Sequence, residues 1–96
     1  MDPHAFEESL RRDGFAEVLR RTLPPGDALP DHQHAWAVRG LVLAGSFHVT
    51  GARRQDCGPG EVFTLDPGEP HSEAAGPDGA SLLIGRRHAP LSPARS

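Results

Sequence analysis

Apolar residues arrive along this chain in short runs, and clusters of glycine and proline close them: "LPPGD", "GPGE", "DPGEP" and "GPDG". That punctuation predicts many short strands joined by turns. Residues 2–13, "DPHAFEESLRRD", carry a different period. Phe6 and Leu10 stand four apart on one face, Asp2 can cap the segment, and Pro3 suits a first helical turn. The pattern predicts one short helix, ended by Asp13-Gly14, that serves packing or a dimer contact. "FAEVLRRTL" then reads as a strand, with a helical reading close behind. "QHAWAVRGLVLA", residues 33–44, reads as one long strand or two abutting strands, kinked at Gly40 and broken at Gly45. "SFHVT", "RRQDC", "VFTL", "HSEAA" and "ASLLIGRR" complete the set, with a hairpin at "GPDG" between the last two. About eight short strands, roughly 8–12 residues apart, predict an all-β fold: a small antiparallel sandwich or barrel. A single domain over residues 1–96 is expected, with a helix at 1–13, a barrel at 15–87 and a frayed tail at 88–96.

Composition narrows the class. A 96-residue chain buries only about 60–65% of its unfolded surface, so support from a metal, a partner or disulfides is expected. Cys57 is the single cysteine, which excludes an internal disulfide and fits a reducing compartment. No apolar run approaches the roughly 18 residues of a membrane helix, and the acidic, amphipathic start has no signal-peptide core. A cytoplasmic protein is the expectation. The net charge is −3, and all ten basic residues are arginines scattered among acids, which disfavours nucleic acid as a partner. The absence of lysine and the wealth of Arg, Ala, Gly and Pro suggest a GC-rich bacterial genome.

The candidate chemistry lies in histidines. On a strand, His32 and His34 would share a face with Trp36, Val38, Val42 and Ala44, the apolar face and hence the barrel interior. Two half-buried imidazoles are costly unless paired, and a divalent metal would pair them. A polar strand end in solvent is the competing reading. His71 follows the turn "DPGEP" and could bring a third imidazole across. Three protein ligands with open positions make a catalytic rather than a closed structural site. Trp36, Val38, Val42, Phe47 and Phe63, with Val49 and Leu65, would wall a small pocket. His48 has the wrong parity and should face solvent, as should His4 and His88. Cys57 reads as a small buried apolar residue. Asp31, Glu69 and Glu73 flank the histidines and read as solvated carboxylates.

Two blocks resemble the cupin motifs. "GDALPDHQHAWAVRGLVLAG", residues 26–45, has glycine, five residues, His-x-His, three residues, the acid position, six residues and glycine. "GEVFTLDPGEPH", residues 60–71, has the second pattern, ending in histidine. The resemblance implies a jelly-roll barrel, often dimeric, that binds iron, manganese, nickel, zinc or copper through three histidines and a glutamate. Here it implies His32, His34 and His71 as ligands. The chain departs from the pattern at Val38, where the glutamate would stand, at Asp66 in place of proline, and at Ala75 in place of asparagine. At most three motif ligands remain. With no Tyr or Lys in the chain, any general acid or base must be a carboxylate, a histidine or metal-bound water. The resemblance leaves three outcomes open. One is dioxygenase- or isomerase-type chemistry on a small metabolite, another is a non-catalytic ligand-binding or sensor module, and the third is a structural zinc site.

Overall fold

The computed structural model describes residues 1–89. Most of the expected tail, residues 90–96, lies outside the described residues. One helix, α1 (Pro3–Arg12), precedes six strands: β1 (Glu17–Leu23), β2 (Ala28–His32), β3 (Ala37–Thr50), β4 (Arg54–Cys57), β5 (Val62–Leu65) and β6 (His71–Arg87). The strand count is lower than expected because β3 and β6 each run straight through a predicted break. They lie antiparallel from Ala37 opposite Arg87 to Thr50 opposite Ser72. Each carries two short partners: β6 pairs with β1 and β2, and β3 with β4 and β5.

The two predicted breaks are in fact one bulge. Gly45 faces Ala80 and Phe47 faces Ala75, so Gly76, Pro77, Asp78 and Gly79 stand opposite Ser46 alone. Gly45 and Gly79 take φ of 76° and 78°, and a Cβ on Gly45 would strike the Gly79 carbonyl. "GPDG" is therefore not a hairpin. It is extra chain within β6, where a missing proline N–H breaks no ladder and the sheet can bend. A second shift in β3, between Val42 and Ala44, turns Ala44 out to solvent instead of inward. Gly40 is no kink either. It pairs on both sides, with Phe63 and Ile84, and its bare Cα makes room for the Phe63 ring, which a Cβ would overlap.

Both faces of this ribbon are buried. Ala37 and Leu41 of β3 and Leu83 of β6 face α1, where Phe6, Leu10 and Phe15 cover them. Val38, Val42, Phe47, Val49, Leu82 and Ile84 face the interior. The helix forms as its sequence dictates: Asp2 accepts from the Ala5 N–H at 3.0 Å, Pro3 opens the first turn, and Gly14 at φ 83° ends it. Full burial of Leu10 contributes about 1.5–3 kcal/mol. Among the described residues no helix is long and apolar enough to cross a membrane.

Candidate metal centre and cavity

The first two ligand candidates are brought to the third by strand pairing. β2 runs along the start of β6, and His32 stands directly opposite His71. The pairing slips between Leu29 and His32, where Pro30 has no N–H to give the ladder. His34 does not share that strand. It lies in the connection between β2 and β3, so strand parity is not what turns it inward. The turn Asp66-Pro67-Gly68-Glu69 holds it instead. This turn closes with Glu69 N–H donating to the Asp66 carbonyl at 3.2 Å, with Gly68 at φ 74°, a type II arrangement. From it the Gly68 N–H donates to the His34 carbonyl at 2.8 Å. The turn that launches His71 thus also anchors His34.

The three rings meet. Centroids of His32 and His71 are 4.4 Å apart, of His34 and His71 5.0 Å, and of His32 and His34 5.8 Å. One ring nitrogen from each lies within 4.8 Å of the others. The opposite nitrogens are all engaged by the backbone. His32 Nδ1 faces the Pro30 carbonyl at 2.8 Å, His71 Nδ1 the Glu69 carbonyl at 2.9 Å, and His34 Nδ1 the Trp36 carbonyl at a looser 3.4 Å. A carbonyl only accepts, so the neutral tautomer that suits these contacts has Nδ1 as the donor and Nε2 as the nitrogen available to a metal. Such outer contacts orient imidazoles for a metal. His71 is 1% exposed, and among the described residues its Nε2 has no partner. Burial holds the His34 pKa below its ordinary value, which favours the neutral, ligating form. This donor set fits a divalent cation.

A cavity of about 260 Å³ opens beside the rings. Trp36, Val38, Phe47 and Phe63 line it, together with Leu65 and Ile84. Val42 does not. It pairs with Leu82 further along β3 and is fully packed in the core, because the cavity occupies only the Val38 end of the strand. Trp36 stacks on His34 at 4.8 Å with the planes 5° apart, and among the described residues its buried indole N–H meets no acceptor.

Residues 19–84 match the cupin domain family. The chain belongs to the cupins. Solved structures agree on the jelly-roll fold. A protein of unknown function from Rhizobium leguminosarum is 22% identical, with 75% of this chain and 69% of that one covered at a TM-score of 0.71. An RmlC-like cupin from Shewanella frigidimarina is also 22% identical, over 75% of this chain and 65% of its own, at 0.66. Oxalate decarboxylase from Bacillus subtilis is 27% identical over 79% of this chain, which spans only 22% of that protein, at 0.69. No curated protein matches the chain.

In this cupin three charged residues of the cavity escape the motif reading. Arg21 and Arg86 line it, and so does Glu73. Strand parity could have found Arg21, which lies between Leu19 and Leu23, both packed on the inner core. Glu73 corrects an expectation. Its side chain is 7% exposed rather than solvated, with Oε1 3.7 Å from both His32 Nε2 and Arg21 NH1. Asp31 is exposed. Glu69 braces its own turn, accepting from the Asp66 and Ala52 N–H groups. The remaining histidines stay outside the site. His4 pairs with Glu8, His48 with Asp56 and His88 with Glu17. Cys57 is buried, and burial pushes its thiol pKa up, away from nucleophilic use.

Proposed function

We propose that this cupin binds one divalent metal ion through His32, His34 and His71, and holds a small anionic, oxygen-bearing ligand beside it. The observation that carries the reading is the convergence of three imidazoles whose outer nitrogens are already engaged. One ring nitrogen of each lies within 4.8 Å of the others, all three Nδ1 atoms face carbonyls, and among the described residues the Nε2 of buried His71 has no partner. The lining supports the ligand class. Arg21 and Arg86 give it two cations against the single carboxylate of Glu73, and a metal adds to that excess. Arg86 lies 5.1 Å over the Trp36 ring, which fixes its guanidinium at the cavity wall. The unpartnered Trp36 N–H supplies a donor. A volume near 260 Å³ admits only a small molecule.

A bound divalent ion would supply Lewis-acid polarisation of a ligand oxygen, and iron would add oxygen chemistry. The chain's own residues attract an anion, orient it and shield it with apolar walls. They offer no free proton-transfer group. Tyr and Lys are absent from the chain, and the cavity's carboxylate, Glu73, stands beside the His32 ring and the Arg21 guanidinium, 3.7 Å from each. That favours ligand binding over turnover, with dioxygenase- or isomerase-type catalysis as the second reading. The similarity to an oxalate decarboxylase makes oxalate and other small dicarboxylates the first ligands to try.

The test uses tag-free protein, stripped and reloaded separately with Zn, Mn, Fe and Ni. About one ion per chain is expected. Small carboxylates should then raise the melting temperature of the loaded protein more than that of the stripped protein. Oxygen uptake or product formation with any of them would favour the catalytic reading. Failure of all four metals to bind sinks the proposal.

A further inference from the structure

The family pattern places an acid at position 38, and this chain has valine there. Val38 is buried and lines the cavity, so the carboxylate is missing from that wall. Another carboxylate enters from the opposite strand. Glu73 lies two residues beyond His71 on β6, and Leu29 and His32 of β2 stand opposite Glu73 and His71 in turn. Strand alternation puts the two β6 side chains on one face, and both are buried.

The surroundings of Glu73 are incomplete. Its contacts to His32 Nε2 and Arg21 NH1 are each 3.7 Å, too long for a hydrogen bond. Among the described residues nothing donates to it. Buried carboxylates are normally both paired and hydrogen-bonded, because desolvation penalises the charge. The contact with His32 has a definite geometry. The Nδ1 side of that ring faces the Pro30 carbonyl at 2.8 Å, so Nε2 is the nitrogen turned toward the carboxylate, 3.7 Å from Glu73 Oε1. A cation seated between them would be shared by both. Ligand atoms on one metal with bonds near 2.1 Å are about 3–3.5 Å apart, so the pair is almost at ligand spacing.

We infer that Glu73 is the fourth protein ligand of the metal, reaching it from β6 in place of the acid absent at Val38. Arg21, on β1, approaches the same carboxylate and orients it, as outer-sphere cations do for ligating acids. Glu73 is not among the groups that already lie within 4.8 Å of one another. It borders them on the His32 side, so a small side-chain movement completes the set. The inference rests on the three-histidine site of the proposed function.

The test compares full-length, tag-free wild type with Glu73→Gln and, as a neighbouring acid exposed to solvent, Asp31→Asn. Each is stripped and loaded with Co(II), which reports its ligands in visible absorption, and with Zn(II) in competition with a chelator. Glu73→Gln is expected to lose at least about tenfold in affinity for both ions, and its Co(II) spectrum should change in position or intensity. Asp31→Asn should match wild type in both. Stripped Glu73→Gln should melt no lower than stripped wild type, which separates lost ligation from lost folding. A wild-type affinity and spectrum in Glu73→Gln overturns the inference and leaves the three-histidine reading standing. A wild type that takes up neither ion overturns both.

Discussion

The two faces of the β3–β6 ribbon are both buried, yet their polar groups are treated differently. On the outer face α1 lays Phe6 and Leu10 over Leu41 and Leu83, and the charges around that contact all find partners. Arg39 donates to Asp13 at 2.7 Å and lies 4.5 Å over the Phe15 ring. Arg87 stacks on the other contact of that ring at 4.6 Å and donates to the Asp13 carbonyl. On the inner face Trp36 Nε1 and His71 Nε2 are buried without partners, and Glu73 has only two long contacts. Buried polar atoms are nearly always satisfied. A chain that satisfies them on one face and leaves two together on the other, beside a carboxylate with only long contacts, supports a ligand site there.

The largest expected effect strikes the inner face. His71→Ala should lower metal affinity by more than about 100-fold, since loss of an orienting outer contact alone costs 10–100-fold. His32→Ala should do the same, and His48→Ala nothing. Chelator competition measures all three. Full occupancy in His71→Ala would erase the contrast between the faces.

The outer face should answer in stability instead. Leu10→Ala is expected to cost about 3 kcal/mol in urea unfolding, within the usual range for a fully buried leucine. Its folded fraction should bind metal with unchanged stoichiometry. A loss of metal before any loss of structure would mean that α1 shapes the site. Gly40→Ala tests the layer between the faces. The added methyl must displace the Phe63 ring, which lines the cavity, so about 1–3 kcal/mol of overpacking is expected. Ligand-induced stabilisation should shrink with it.

Much of this contrast was legible in the sequence. The i, i+4 pair Phe6 and Leu10 announced the outer contact, and the spacing of the two blocks joined His71 to His32 across 39 positions. The rest was hidden for physical reasons. A glycine at positive φ serves a hairpin and a bulge equally well, so "GPDG" gave no sign that β6 continues through it. Parity arguments assume an unbroken strand. They fail for His34, which sits between strands, and for Ala44, which lies past a register shift. Glu73 reads as solvated because its chain neighbours Ser72 and Ala74 are small or polar. Its burial comes with pairing to Leu29 of β2 and Val49 of β3, partners far away in sequence.

A milder prediction sharpens the inner face. Val38→Glu restores an acid to the β3 side of the cavity lining. Alone it should gain little, since one carboxylate already serves the site. Combined with Glu73→Gln it should recover most of the lost affinity, by about tenfold or more. Equal affinity in the single and double variants would mean that side chains at position 38 do not reach the ion.

The smallest effect belongs to the outer face and appears only in acid. The hydrogen bond from Arg39 holds the Asp13 carboxyl below its ordinary 3.8, with the nearby Arg12 and Arg87 charges helping. A carboxylate whose folded pKa is depressed stabilises the fold at pH values above its unfolded pKa. That contribution disappears as pH falls through the folded value. The window therefore lies below about pH 4. Asp13 is partly open to solvent, so the effect is small and should weaken in salt. Metal-stripped protein isolates it, because acid would otherwise also release the ion from its histidines. Wild type should melt above Asp13→Asn at neutral pH, and the gap should close as the pH is lowered through that window. A gap that stays constant from pH 7 to pH 3 would mean that the ion pair with Arg39 adds nothing beyond the hydrogen bond an amide can also make.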